Sequence, residues 1–184
     1  MKKLGFGMMR LPLLNEEDKK SIDKKTVCQM VDTFMERGFT YFDTAYMYHE
    51  YESERAMKDV LVTRKDRDSY TLASKLPVMQ LKEKEDMERI FNEQREKCGV
   101  EYFDYYLLHS LDAEHYKTVK RLDCFGFAMQ KKAEGKVKHV GFSFHDSAEV
   151  LDQILTEHPE AEFVQLQLNY LDWEDAKVQS RKCY

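Results

Sequence analysis

The chain has 184 residues, 42% of them hydrophobic, which is enough for one buried core and too few for two comfortable domains, so a single domain over residues 1–184 is expected. The formal net charge of −5 is modest and the 34% of charged residues are mixed in sign, so neither a basic stripe for nucleic acid nor a polybasic run for a membrane is present. No long apolar run or signal-peptide pattern occurs, which points to the cytoplasm and leaves a small molecule as the default partner.

Leu4-Gly-Phe-Gly-Met-Met9 reads as a first strand whose two glycines allow close backbone approach. Gly5-Phe-Gly7 is a weak phosphate loop, because no Gly-x-x-Gly or Lys-Ser/Thr follows it. After a polar loop over residues 13–21, Asp23 caps a helix to Arg37 with Val27, Met30, Val31 and Phe34 on one face, and Gly38 stops it. The second strand, Thr40 to Asp43, leads into a loop rich in tyrosines, Thr44-Ala-Tyr-Met-Tyr48. A helix over residues 51–62 turns Ala56, Met57, Val60 and Leu61 inward, and a charged loop precedes the third strand, Tyr70 to Lys75, which Pro77 terminates.

A helix over residues 83–98 follows, capped by Gly99, and then a strand from Tyr102 to His109. Gly99-x-x-Tyr-Phe-Asp104 echoes Gly38-x-x-Tyr-Phe-Asp43, which marks a repeated unit of helix, glycine turn and buried strand. A long helix over residues 113–133, broken near Gly126, leads to a strand from Val137 to Phe142. Asp146-Ser147 opens a helix carrying Val150, Leu151, Ile154 and Leu155, and Phe163 to Leu168 is the sixth strand, with a last helix expected from Asp172. Six strands alternating with helices is the pattern of a parallel α/β fold. A closed (β/α)8 barrel needs eight such units, and this chain is about two units short of one.

Several strands end on a reactive side chain: Asp43, Lys75, His109 and Ser143, at spacings of 32, 34 and 34 residues. One strand with its crossover helix and loops needs roughly 30 residues, so this interval is one βα unit, and ionisable groups at strand carboxyl ends gather at the mouth where catalytic residues sit. The four cysteines, Cys28, Cys98, Cys124 and Cys183, form no Cys-x-x-Cys pair and read as reduced thiols. The histidines show no metal-ligand spacing; His145 lies just past a strand mouth, where opening the next helix is its simpler role. Tyr105, Tyr106 and Phe127 read as packing residues, and Trp173 as a candidate lining of the mouth.

Phe-Asp-Thr-Ala-x-x-Tyr48, Ser-Lys75, Leu-Leu-His109 and Gly-x-Ser143, in this order and at these intervals, resemble the aldo-keto reductases. Gly-Phe-Ser-Phe-His145 is similar to a bacterial and archaeal branch that often carries a C-terminal iron-sulfur segment, for which this chain has no cysteine cluster. The resemblance implies a TIM barrel that reduces aldehydes or ketones with NADPH, or with NADH. It implies Tyr48 as general acid, assisted by Lys75, Asp43 and His109; Tyr46 is out of the motif's register. It further implies cofactor contacts from Gly7 and Met8 and nicotinamide contacts from Ser143 and Gln165, with Phe144 standing where many members have Asn. The chemistry agrees, since a phenol with a pKa of about 10 donates a proton poorly unless a cation stands beside it.

Relative to the family, the chain reads as an incomplete TIM barrel, truncated at the C-terminus with strands seven and eight missing and lacking most of the N-terminal hairpin, hence as a weakly active or inactive piece. The alternative is a non-enzymatic barrel fragment or regulatory subunit acting through a protein partner, whose unpaired strand edges would invite self-association. A doubly wound sheet binding another nucleotide is a third reading, against which no Gly-x-Gly-x-x-Gly follows the first strand.

Overall fold

Six parallel strands run in chain order across one sheet: β1 Gly5–Gly7, β2 Tyr41–Asp43, β3 Thr71–Leu76, β4 Phe103–Leu111, β5 Val137–Phe144 and β6 Phe163–Leu166. They are seen in a computed structural model, which describes residues 3–184. Each strand pairs with its chain neighbour alone, and β1 does not meet β6, so the sheet is an open, curled part of a (β/α)8 barrel. Same-handed crossovers place the helices on its outer face. That face is apolar, with Phe42, Leu72, Leu108, Val140 and Phe142 all 0% exposed.

The helices are α1 Lys24–Glu36, α2 Ser53–Met57, α3 Glu85–Cys98, α4 Ala113–Leu122, α5 Cys124–Ala133, α6 Ala148–Glu157 and α7 Ser180–Cys183. Asp23 caps α1 by accepting from the Thr26 N–H, and Phe34 seats the helix against Phe6 and Phe42 at ring separations of 5.4 and 5.2 Å. Met30, expected inward, is instead 40% exposed. Gly99 ends α3 in the left-handed region at φ 69°, where a Cβ is costly.

Other departures have local causes. The long helix expected over residues 113–133 breaks at Asp123 rather than Gly126: Asp123 sits at φ 59°, and its carboxylate accepts from the Gly126 N–H to start α5. Aspartate tolerates the left-handed region because its short polar side chain bonds locally. α2 begins at Ser53 because residues 49–51 all have positive φ, and it continues as a wider π-helical turn over Lys58–Val62. Leu155 is 40% exposed, while Leu151 and Ile154 hold α6 down. β6 stops at Leu166, and residues from Asp172 form turns up to α7.

Strand side chains alternate between faces. The inner face carries an aromatic floor in which Tyr105 meets Tyr41 and Phe163, each at 5.4 Å, and stacks on His139 at 5.1 Å. Tyr106 points outward, fully buried, so both tyrosines pack. Gly141 is needed for close approach, since a Cβ there would run into the backbone oxygen and ring of Phe163, its register partner on β6. Cys98 and Cys124 are buried and Cys28 and Cys183 half-buried, all as free thiols. Among the described residues no helix is long and apolar enough to cross a membrane.

Candidate active site

Asp43 closes β2 opposite Ala73, so the next inward side chain of β3 is Lys75, one step nearer the mouth. The two meet there: Lys75 Nζ donates to Asp43 Oδ1 at 2.5 Å, to the Thr44 carbonyl at 2.8 Å and to Tyr48 Oη at 3.4 Å. Lys75 is 1% exposed, so this ammonium is removed from water and carboxylate, carbonyl and phenol take the place of its hydration shell. Tyr48 lies in the loop after β2, with its ring centroid 4.9 Å from Lys75 Nζ and 5.7 Å from that of the His109 ring in a T-shaped pair. His109 comes from β4. Burial first, and the Lys75 charge second, hold its imidazole down to about 3, so it is neutral over the ordinary pH range. Its Nδ1 is buried with no partner among the described residues.

Neighbouring phenols separate cleanly from Tyr48. Tyr41 donates to the other oxygen of Asp43 at 3.4 Å, and burial and that negative charge push its phenol well above the ordinary range. Tyr46 points to α3, where it donates to Glu93 at 2.7 Å, and burial and that hydrogen bond push it up to about 12. Of the three, Tyr48 alone bonds the buried ammonium.

β3 is braced from its outer side. Glu54, 0% exposed, accepts from Ser74 Oγ at 2.7 Å and from Gln94 Nε2 at 2.8 Å. Gln94 Nε2 also reaches the Lys75 carbonyl at 3.0 Å, and Tyr106 donates to Gln94 Oε1 at 2.7 Å. Burial pushes the Glu54 carboxyl up, toward the neutral form.

The cleft above these groups measures about 900 Å³ and is lined by Asp43, Tyr48, Lys75, His109, Ser143 and Gln165, among others. Ser143 Oγ accepts from the Ser110 N–H at 2.7 Å, at the irregularity between Leu108 and Leu111 where the register of β4 against β5 shifts, and Gln165 Nε2 lies 3.5 Å from Asp43 Oδ2. Gly7 is the register partner of Asp43 on β1, and a Cβ added to it would meet nothing within 4 Å. Met8 is 0% exposed, its N–H donates to the Asp43 carbonyl and its carbonyl accepts from Ser53, and the cleft is lined beside it by Met9 and Arg10. Trp173, read as a lining of the mouth, instead lines a separate depression of about 560 Å³ with Glu174 and Lys182. His145 reaches the cleft, with Nδ1 2.9 Å from Gln167 Oε1, and Phe144 is buried against Phe142. Met47, Met79 and Ser110 also line the cleft without having stood out in the sequence; Ser110 could have been found as the neighbour of His109 at a strand end.

The sequence pattern of the family described as aldo/keto reductase matches residues 3–184. Among solved structures, an aldo/keto reductase from Brucella melitensis aligns at 21% identity and a TM-score of 0.63, covering 89% of this chain and 57% of that one. An aldo-keto reductase from Klebsiella pneumoniae in complex with NADPH gives 20% identity and 0.66, over 89% and 53%. One from Bacillus halodurans, in its holo form, gives 21% and 0.65, over 93% and 56%. The chain thus spans little more than half the length of these structures, and at such identities they show a shared fold. No curated protein matches the sequence.

Proposed function

The chain belongs to the aldo/keto reductase family, and from that premise we propose that it carries the proton-donating half of an NADPH-dependent site that reduces aldehydes or ketones to alcohols. The single observation that carries this reading is that Lys75 Nζ bonds Asp43 and Tyr48 at once while His109 beside them is neutral. A bound reduced nicotinamide supplies the hydride. Ser143 and Gln165 are the polar groups suited to hold its carboxamide end, and bare Gly7 leaves β1 open to close approach.

Tyr48 Oη gives its proton to the carbonyl oxygen as negative charge develops there. The charge left on the phenol faces Lys75 at 3.4 Å, an attraction of roughly 5 kcal/mol at an effective dielectric of about 20. That is the size of effect expected of a positioned acid, roughly 10²–10⁴ in rate. Asp43 and the Thr44 carbonyl keep the ammonium in place. His109, uncharged until the pH nears 3, holds no spare proton to deliver; its role is one hydrogen bond that orients the carbonyl oxygen.

The test is to titrate the chain with NADPH by cofactor fluorescence and to follow NADPH consumption with small aldehydes and ketones. Saturable binding with turnover supports the reading; neither binding nor turnover contradicts it. A second reading, a barrel piece that works through a protein partner, is favoured by one feature: β1 and β6 both end the sheet with unpaired edges. It predicts concentration-dependent self-association on size exclusion, and a monomer at all concentrations would count against it.

A further inference from the structure

His49 directly follows Tyr48, and both of its ring nitrogens are engaged. Nε2 lies 3.0 Å from the Leu11 backbone nitrogen, which can only donate, so Nε2 accepts and carries no proton. Nδ1 lies 2.9 Å from the Lys19 carbonyl, which can only accept, so Nδ1 carries the proton. The two contacts select one neutral tautomer out of three protonation states. Leu11 and Lys19 belong to the segment that leads from β1 to α1, which is folded back on itself by the antiparallel bridge of Leu13 with Ile22.

On the other side of the imidazole is a strained turn. His49, Glu50 and Tyr51 have φ of 51°, 50° and 74°, three consecutive left-handed residues without a glycine. Such a run persists only where its surroundings hold it. The holding contacts come from outside the turn: Leu11 and Lys19 on His49, Lys20 on Glu50 at 3.8 Å, and Gln80, which donates to Tyr51 Oη at 3.0 Å. The turn is the next stretch of backbone after Tyr48, so its shape sets where the phenol points.

We propose that His49 is a positioning residue for Tyr48: as the neutral Nδ1–H imidazole it ties the segment from Leu11 to Lys19 to the left-handed turn and so keeps the phenol over Lys75. The inference rests on the reading of Tyr48 as the acid, but its readouts are structural and do not require turnover. The whole chain, labelled with ¹⁵N-histidine and with ¹³C at tyrosine Cζ, is studied by NMR, with Tyr48→Phe identifying the Tyr48 signal. The imidazole of His49 is expected as the Nδ1–H tautomer, and the Tyr48 signal displaced from that of Tyr170, which is 90% exposed.

His49→Phe removes both bonds while keeping a flat ring. Exchange of the Leu11 amide is expected to speed up by roughly tenfold, the factor for losing one hydrogen bond of ordinary strength. The Tyr48 signal is expected to move toward that of Tyr170. His49→Gln offers an amide oxygen to the Leu11 N–H and is expected to keep both readouts close to wild type. An Nε2–H tautomer in the wild type overturns the proposal, even if His49→Phe fails to fold. So does a Tyr48 signal that stays in place when the Leu11 amide opens, since His49 would then hold only the segment. Absence of NADPH turnover with these readouts intact would defeat the proposed function and leave the clamp standing.

Discussion

Two ends of the same sheet each bury a carboxylate against positive charge, two cations at one end and one at the other, and they do so differently. At the amino end Asp104, with a side chain 4% exposed, accepts from Arg67 at 2.6 Å, from Lys138 at 2.9 Å and from the Leu72 N–H at 2.9 Å. Its cations lean outward, 25% and 53% exposed, and water shares their charge. At the carboxyl end the proportions are inverted: the cation Lys75 is the more deeply buried partner, and one of its three contacts is a phenol that opens on the cleft. The amino-end cluster closes on itself and braces the fold. At the mouth a charge is kept out of water beside a group that can release a proton, which is where chemistry is possible.

Substitution at the two ends sharpens the contrast. Lys75→Met leaves Asp43 without its ammonium and is expected to cost about 3–5 kcal/mol of stability. Lys138→Met is expected to cost about 1 kcal/mol or less, because Lys138 is half exposed and Asp104 keeps Arg67 and the Leu72 N–H. Urea unfolding of the two variants measures both, and equal losses would erase the distinction.

Acid should strike the mouth first. His109 takes up a proton only near 3 in the folded chain but near the ordinary 6.5 when unfolded. The stability linked to it is therefore complete above about 6.5 and falls as the pH drops through that value toward 3. His109→Gln should flatten this decline in unfolding curves taken across that range. Glu54 has the opposite sign: burial raises its folded value above the ordinary 4.5, so its contribution is complete below 4.5 and declines as the pH rises. Glu54→Gln should therefore gain on the wild type as the pH rises above 4.5. A wild type whose stability relative to Glu54→Gln is constant over that range would mean that the carboxyl ionises as freely folded as unfolded.

The smallest effect is expected at the turn beside Tyr48. Glu50→Gly relieves left-handed strain of roughly 1–2 kcal/mol and adds chain entropy of roughly 0.5–1 kcal/mol, so the melting temperature should rise by about 1–3 °C. A fall in melting temperature would show that the Lys20 contact outweighs the strain.

Asp43, Lys75, His109 and Ser143 could be placed from the sequence because a βα unit has a nearly fixed length, and equal spacing then puts strand ends at one mouth. The fold was legible for the same reason. Beyond the strands only a motif helped: it picked out Tyr48, in the loop after β2, which the structure sets 3.4 Å from Lys75, and loop positions outside a motif were not legible. Met8 and Trp173 carry no periodic signal that says which way a loop residue faces, and Met8 turned into the core. The break at Asp123 was missed because glycine is the usual mark of a left-handed residue, whereas here the aspartate takes that conformation and glycine only accommodates its carboxylate. The turn over residues 49–51 contains no glycine and left no mark in the sequence at all.

The central claim is that the phenol touching Lys75 is the proton donor, and comparing Tyr48→Phe with Tyr46→Phe tests it most directly. Under single-turnover conditions with NADPH and an aldehyde, Tyr48→Phe should slow reduction by roughly 10²–10⁴ with cofactor binding retained. Tyr46→Phe, which loses only a bond to Glu93, should stay near the wild-type rate. Tyr48→Phe reducing the aldehyde as fast as the wild type would contradict the account.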